Sequence, residues 1–187
     1  MASDSAWLLA ASRKLRPARD ATGGKLPTLW LFTDDTRTPD VDVALATLPT
    51  RVGVVLRGRA RAAAPGRHTV AVAGDVGRAL ALGAGLHLPS VLLARPPFGW
   101  RRCRFVTAAI HTVPDAVRAR RLGVAIGFVS PVFATRSHPG ARVLGRLGAR
   151  RVARHLPQAG FVGGLAKHST RGLKGVAWGA IDALLSA

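Results

Sequence analysis

Residues Val124 to Gly145 read VAIGFVSPVFATRSHPGARVLG. The run from Val124 to Val129 has the length and β-branching of a strand buried on both faces. It breaks at Ser130-Pro131 into a loop carrying Thr135, Arg136, Ser137, His138 and, further on, two glycines. A buried strand that ends in a polar, cationic, Gly-containing loop suits an anionic ligand. Hydroxyls and open backbone N–H groups reach phosphate oxygens, and a guanidinium pairs with them. The competing reading is an ordinary strand-to-helix loop on a basic protein.

Working outward, 187 residues suffice for one domain, or one domain with an arm, and 48% hydrophobic residues suffice for a core. The charge is lopsided: 28 Lys and Arg against nine acids, a net +19. All nine acids are Asp, and 24 of the cations are Arg. Such a field favours anionic partners. The cations are spread along the chain without long basic blocks, and there is no Tyr. They therefore read mainly as a solvated surface, with non-specific nucleic-acid binding at low salt as a further expectation. The single Cys103 excludes an internal disulfide and a Cys-based zinc site. No apolar stretch reads as a signal segment or a membrane span: the longest, near Leu80 to Ala94, contains His87 and Pro89. The expectation is a cytoplasmic protein without membrane contact.

Residues 1–25 read as an N-terminal arm. Asp4 or Ser5 would cap a short helix through Leu8, Leu9 and Leu15, ended by Pro17. Thr22-Gly23-Gly24-Lys25 only faintly suggests a phosphate loop, because no strand precedes it and Leu26 stands where Ser or Thr is required. Residues 26–187 then show eight apolar runs: Leu29–Thr33, Val52–Arg57, Thr69–Ala73, Gly85–Leu88, Arg104–Ile110, Val124–Val129, Gly160–Gly163 and Gly175–Trp178. Helical patterns at Val76–Leu82, Pro114–Leu122, Val143–His155 and Ala180–Leu185 lie between or after them. Short buried strands alternating with helices predict a parallel sheet, and eight is the number that closes a (β/α)8 barrel. The second link, Gly58 to His68, and the fourth, with Pro96-Pro97, are poor helix. The expected α/β fold is thus a trimmed TIM barrel with shortened second and fourth βα links; an open doubly wound sheet is the alternative. A barrel would put function at the carboxyl ends of its strands, with phosphate held by the loops after strands seven and eight.

In this order the motifs resemble the thiamine phosphate synthase/TenI superfamily. The pieces are LFTDD (Leu31–Asp35), VVLRGR (Val54–Arg59), GLHLP (Gly85–Pro89), AAIHT (Ala108–Thr112), VSPVFATRSHPG (Val129–Gly140), VLG (Val143–Gly145), FVGGL (Phe161–Leu165) and GVAWGAI (Gly175–Ile181). The resemblance implies an oligomeric barrel acting on phosphorylated thiazole or pyrimidine molecules in thiamine synthesis. Synthases of this family join an aminopyrimidine diphosphate to a thiazole phosphate, release pyrophosphate and need Mg²⁺. Against their pattern, Arg57 is kept, Arg59 replaces a lysine, Ala73-Gly74-Asp75 replaces Asn-Asp-Arg, and Pro89-Ser90-Val91-Leu92 offers no second metal aspartate. The resemblance therefore favours the TenI branch, which tautomerises a thiazole carboxylate phosphate with a His as acid/base and which shares Leu88-Pro89-Ser90. No metal or other cofactor is expected, Mg²⁺ only for a synthase.

The matching catalytic residue is His111, since an imidazole titrates near neutrality. Its bland alternative is a strand-end His bonding a carbonyl. The expected substrate and phosphate contacts are Arg57, Arg59, Thr135, Arg136, His138, Gly163, Gly164, Gly179 and Ala180. His87 and Trp178 read rather as structural. An Arg57 turned into a barrel requires an anion, a ligand or the carboxylate of Asp34 or Asp75. Two other classes compete: a non-catalytic barrel holding a phosphorylated ligand, and a basic nucleic-acid-binding module.

Overall fold

The computed structural model describes residues 4–35, 38, 40–49, 51–58, 67–134, 142–165, 170–180 and 184. Eight parallel strands close into a barrel in chain order. They are β1 (Leu29–Phe32), β2 (Gly53–Leu56), β3 (Thr69–Ala73), β4 (Gly85–Leu88), β5 (Val106–Ile110), β6 (Ile126–Val129), β7 (Ala159–Val162) and β8 (Ala177–Ala180). Closure comes from β8 pairing with β1, with Trp30 opposite Gly179. The barrel predicted from the alternating pattern is therefore the fold, and the open sheet is excluded. One boundary moves: the eighth strand runs two residues further than expected, so Ala180 ends a strand and does not open a helix.

Around the sheet lie α1 (Asp4–Ser12), α2 (Val41–Thr47), α3 (Val76–Ala81), α4 (Val113–Leu122) and α5 (Gly145–Ala153). Helix α2 escaped the sequence reading because it has only two turns. Its signals are nevertheless present: Asp40 accepts a hydrogen bond from the Val43 N–H at 3.0 Å as N-cap, and Val41, Ala44 and Leu45 form its buried stripe. The fourth link contains two short 3₁₀ turns, Ser90–Leu92 and Trp100–Arg102, and no α-helix, as its paired prolines require. Most of the second link, residues 59–66, and most of the pattern at Ala180–Leu185 lie outside the described residues.

The strand period of two sorts the side chains. Leu29, Leu31, Val54, Leu56, Val70 and Val72 pack outward beneath the helices. Trp30, Phe32, Val55, Ala71, Phe128 and Val162 fill the interior. So many rings fit a narrow barrel because glycines stand against them. A Cβ at Gly53 would enter the Trp30 ring, at Gly85 the Phe105 ring, at Gly160 the Phe128 ring and at Gly179 the Phe32 ring. The freed space lets the rings meet edge to face: Trp30 and Phe128 at 5.6 Å, Phe32 and Phe128 at 5.1 Å. Such pairs contribute about 0.5–1.5 kcal/mol each beyond burial.

The amino-terminal segment seals one end of this stack. Helix α1 packs on β1 and β8, with Leu8 fully buried. Beyond Pro17, Ala18 and Leu26 join the interior cluster beside Trp30. A turn between them is closed by an Arg19–Lys25 bridge and by the Asp20 carboxylate, which accepts from the Thr22 hydroxyl and the Thr22 and Gly24 N–H groups. The Thr22 hydroxyl above all holds the Asp20 carboxyl below its ordinary pKa. Gln158 ties this turn to the barrel, accepting from Arg19 N and donating to the Arg19 and Ala125 carbonyls.

Candidate functional site

The opposite end, where the strands terminate, is open. A cavity of about 410 Å³ lies there. Phe32, Phe128 and Val162 form its apolar floor, and Arg57, His87, His111, Ser130 and Gly163 supply its polar groups. Its composition, apolar with a few convergent polar groups, is that of a small-molecule site.

His111 follows β5 directly. Its Nδ1 lies 2.7 Å from the Ser130 carbonyl oxygen. A carbonyl only accepts, so Nδ1 carries the proton and Nε2 of the neutral ring is left as the base. The backbone at His111 is fastened by Asp115. One carboxylate oxygen accepts from the N–H groups of His111 (3.2 Å) and Thr112 (3.0 Å) and from the Thr112 hydroxyl (2.8 Å). The Thr112 hydroxyl in turn caps α4, completing a capping box. The strand-end His thus bonds a carbonyl while its residue lines the cavity.

Arg57 lies at the end of β2. Its Nε donates to the Thr33 carbonyl at 2.6 Å, and its guanidinium pairs with Asp34 at 3.7 Å. The ring of Phe32 lies 5.9 Å beneath. Asp34, not Asp75, is therefore the carboxylate partner. Asp75 turns away to cap α3, accepting from the Arg78 N–H at 2.9 Å.

His87, which reads from sequence rather as structural, lines the cavity from β4. It is 4% exposed and lies between the Phe32 and Phe128 rings, with Nδ1 2.9 Å from the Thr107 hydroxyl. Burial first, then the charges of Arg57 and His111, push its pKa down to about 3. It is a neutral ring at any working pH. No local sequence signal marks such a histidine; its apolar neighbours come from strands far apart in the chain.

The loop after β6 folds onto the glycines after β7. Val132 N donates to Val162 O at 3.1 Å, and Phe133 N donates to Gly163 O at 3.1 Å. Gly163 has φ +98° and packs against Pro131 at the cavity edge; Gly164, at φ +61°, has the Ala134 carbonyl and Phe133 against its Cα. Both positions need glycine. Gly163 reaches the cavity, whereas Gly164 serves the loop contact. Gly179 and Ala180 belong to β8: Gly179 admits Phe32 and Val162, and Ala180 packs in the outer layer with Trp178. Thr135, Arg136, His138 and Arg59 lie outside the described residues.

The family resemblance raises Mg²⁺, and the described residues around this cavity do not suit it. Gly74 stands at the position matched to the first metal aspartate, Pro89-Ser90-Val91-Leu92 supplies no second, and no group of three or more His, Cys, Asp or Glu gathers among the described residues.

Fold and cavity together define a (β/α)8 barrel with a histidine- and arginine-lined pocket at its carboxyl-terminal mouth. Thiamine phosphate pyrophosphorylase from Pyrococcus furiosus has the same barrel: it matches with a TM-score of 0.57 over 82% of this chain and 84% of that one, at 22% sequence identity. This is a likeness of fold, and it agrees with the superfamily that the motif order resembles. No protein-family model and no curated protein matches the chain. No described helix is long and apolar enough to cross a membrane.

Proposed function

We propose that this chain binds a thiazole phosphate at the barrel mouth and acts as a TenI-like tautomerase in thiamine synthesis. The observation that carries the reading is His111, with Nδ1–H committed to the Ser130 carbonyl and its ring on the cavity. A tautomerisation removes a proton from one carbon of the thiazole carboxylate and returns one to another. One imidazole suffices: Nε2 takes the first proton and gives it back, with no net change in charge. Arg57 supplies positive charge for the substrate carboxylate or phosphate, and the N–H groups beside Gly163 suit phosphate oxygens. Thr135, Arg136, His138 and Arg59 are proposed to complete the anion contacts from their loops.

The alternative is a synthase coupling an aminopyrimidine diphosphate to the thiazole phosphate. The barrel likeness to a pyrophosphorylase favours it; Gly74 in place of the first metal aspartate, and Pro89-Ser90-Val91-Leu92 without a second, speak against it. A third reading, ligand binding without chemistry, keeps the pocket and drops the role of His111. We further propose a cytoplasmic homo-oligomer, on the support of Phe98 and Val91, apolar side chains 98% and 81% exposed.

The test is turnover of the thiazole carboxylate phosphate tautomer by the intact chain, followed by NMR, beside coupling assays with and without Mg²⁺. Tautomerisation lost in His111→Asn carries the proposal. Mg²⁺-dependent coupling at the rate of a working synthase would replace it.

A further inference from the structure

A second cleft lies on the flank of the barrel, away from the mouth. In a (β/α)8 barrel each strand is followed by a helix that covers its outer face. The link from β7 to β8 runs from residue 163 to 176, and its described residues, 163–165 and 170–176, contain no helix. A cleft of about 950 Å³ opens in that place, between α5 and the chain after α1. Its floor includes Leu156, Phe161 of β7 and Leu173, with Leu15 and the 80% exposed Leu147 on its walls. Under it the Trp178 ring lies 5.9 Å from Phe161 at a tilt of 34°, and its N–H is buried with no acceptor among the described residues.

The cleft has one sign of charge. Lys14, Arg16, Arg150, Arg151, Arg154 and Lys174 line it, all exposed, and among the described residues no Asp does. None of the six pairs with a carboxylate among the described residues. We propose that this slot takes an acidic amphipathic helix of a partner protein, seated where the seventh outer helix of the barrel would lie. An apolar floor flanked by cations fits a helix with an apolar stripe and acidic flanks. A second copy of this chain is disfavoured as the occupant of this cleft, because none of its described helices has acidic flanks: α1, α2 and α4 hold one Asp each, and α3 and α5 hold none. Nucleic acid would use the cations but not the leucines, and no exposed aromatic lies in the cleft to stack a base.

The probe is a fluorescent synthetic helix of about 14 residues, Leu on one face and Glu on its flanks. Its scramble of equal charge and an oligouridylate are the comparators, titrated against the full chain at physiological salt. The patterned peptide is expected to bind about 10-fold more tightly than the scramble. Arg150→Glu with Arg154→Glu, and separately Leu147→Asp, should each weaken it about 10-fold, with thermal melts confirming folded variants. Since Leu147 is a solvent-facing helix residue, its replacement leaves the core intact. Equal binding of the scramble, tighter binding of the oligouridylate, indifference to both changes, or self-association lost in Leu147→Asp would each overturn the proposal.

Discussion

The two ends of the barrel are built from the same strands and differ in what fills them. At the amino-terminal end Ala18 and Leu26 close over Trp30, which meets Phe105 and Phe128 edge to face. The Trp30 N–H is satisfied at 2.7 Å by the Pro27 carbonyl. At the carboxyl end the strands run out into Arg57, His111 and Ser130, and a cavity remains. The closed end stores packing energy and tolerates no added volume. The open end holds polar groups that a rigid wall keeps in place. His87 sits on the border, a neutral ring packed like a core residue and exposed to the pocket floor.

Four changes probe this contrast, in order of decreasing effect. His111→Asn should lower tautomerisation by about 10²–10⁴-fold while leaving the melting temperature in place; equal loss of stability would make His111 part of the packing instead. His87 gives the pH test. In the unfolded chain it protonates below its ordinary pKa of 6.5, and in the folded chain only near 3. The unfolded state therefore binds the extra proton in this window, and stability falls as pH drops through it, by up to about 1.4 kcal/mol per pH unit. Denaturant titrations between those limits should show a shallower loss in His87→Gln than in the parent; parallel curves would remove His87 from the buried, neutral class. At the closed end, Gly53→Ala drives a methyl into the Trp30 ring and should cost about 1–3 kcal/mol by chemical denaturation, with substrate affinity per folded molecule unchanged. Asp115→Asn should have the smallest effect, about 1 kcal/mol for the weakened cap. It should also lower kcat more than it raises KM, because Asp115 positions His111 without touching substrate. A change in KM alone would argue for a binding role.

Much of the fold was legible because its signals are local. Eight short apolar runs needed only periodicity, and β3 and β4 begin and end where the pattern predicts. Pro114 and Asp115 marked the start of α4 for the same reason: capping acts within one turn. Errors fell where local signals are weak. Helix α2 is two turns long, and Gly179 looked like a loop glycine because the ring it admits, Phe32, comes from the first strand. The site divides likewise. That His111 and Arg57 reach the barrel mouth was legible from their place at strand ends. The hydrogen-bond partners of His111 and His87 were not, since Ser130 is 19 residues from His111 and Thr107 is 20 from His87, and for Arg57 the choice between Asp34 and Asp75 stayed open.

By itself, then, the order of residues determined the strand count, the parallel sheet and the concentration of polar groups after each strand, because hydrophobic period and turn chemistry act over a few neighbours. Only the closed barrel decided which of those groups share a pocket, which glycines yield to a ring and which nitrogen of His111 meets the Ser130 carbonyl. Those are relations between strands, set when β8 meets β1, and no span of neighbouring residues contains them.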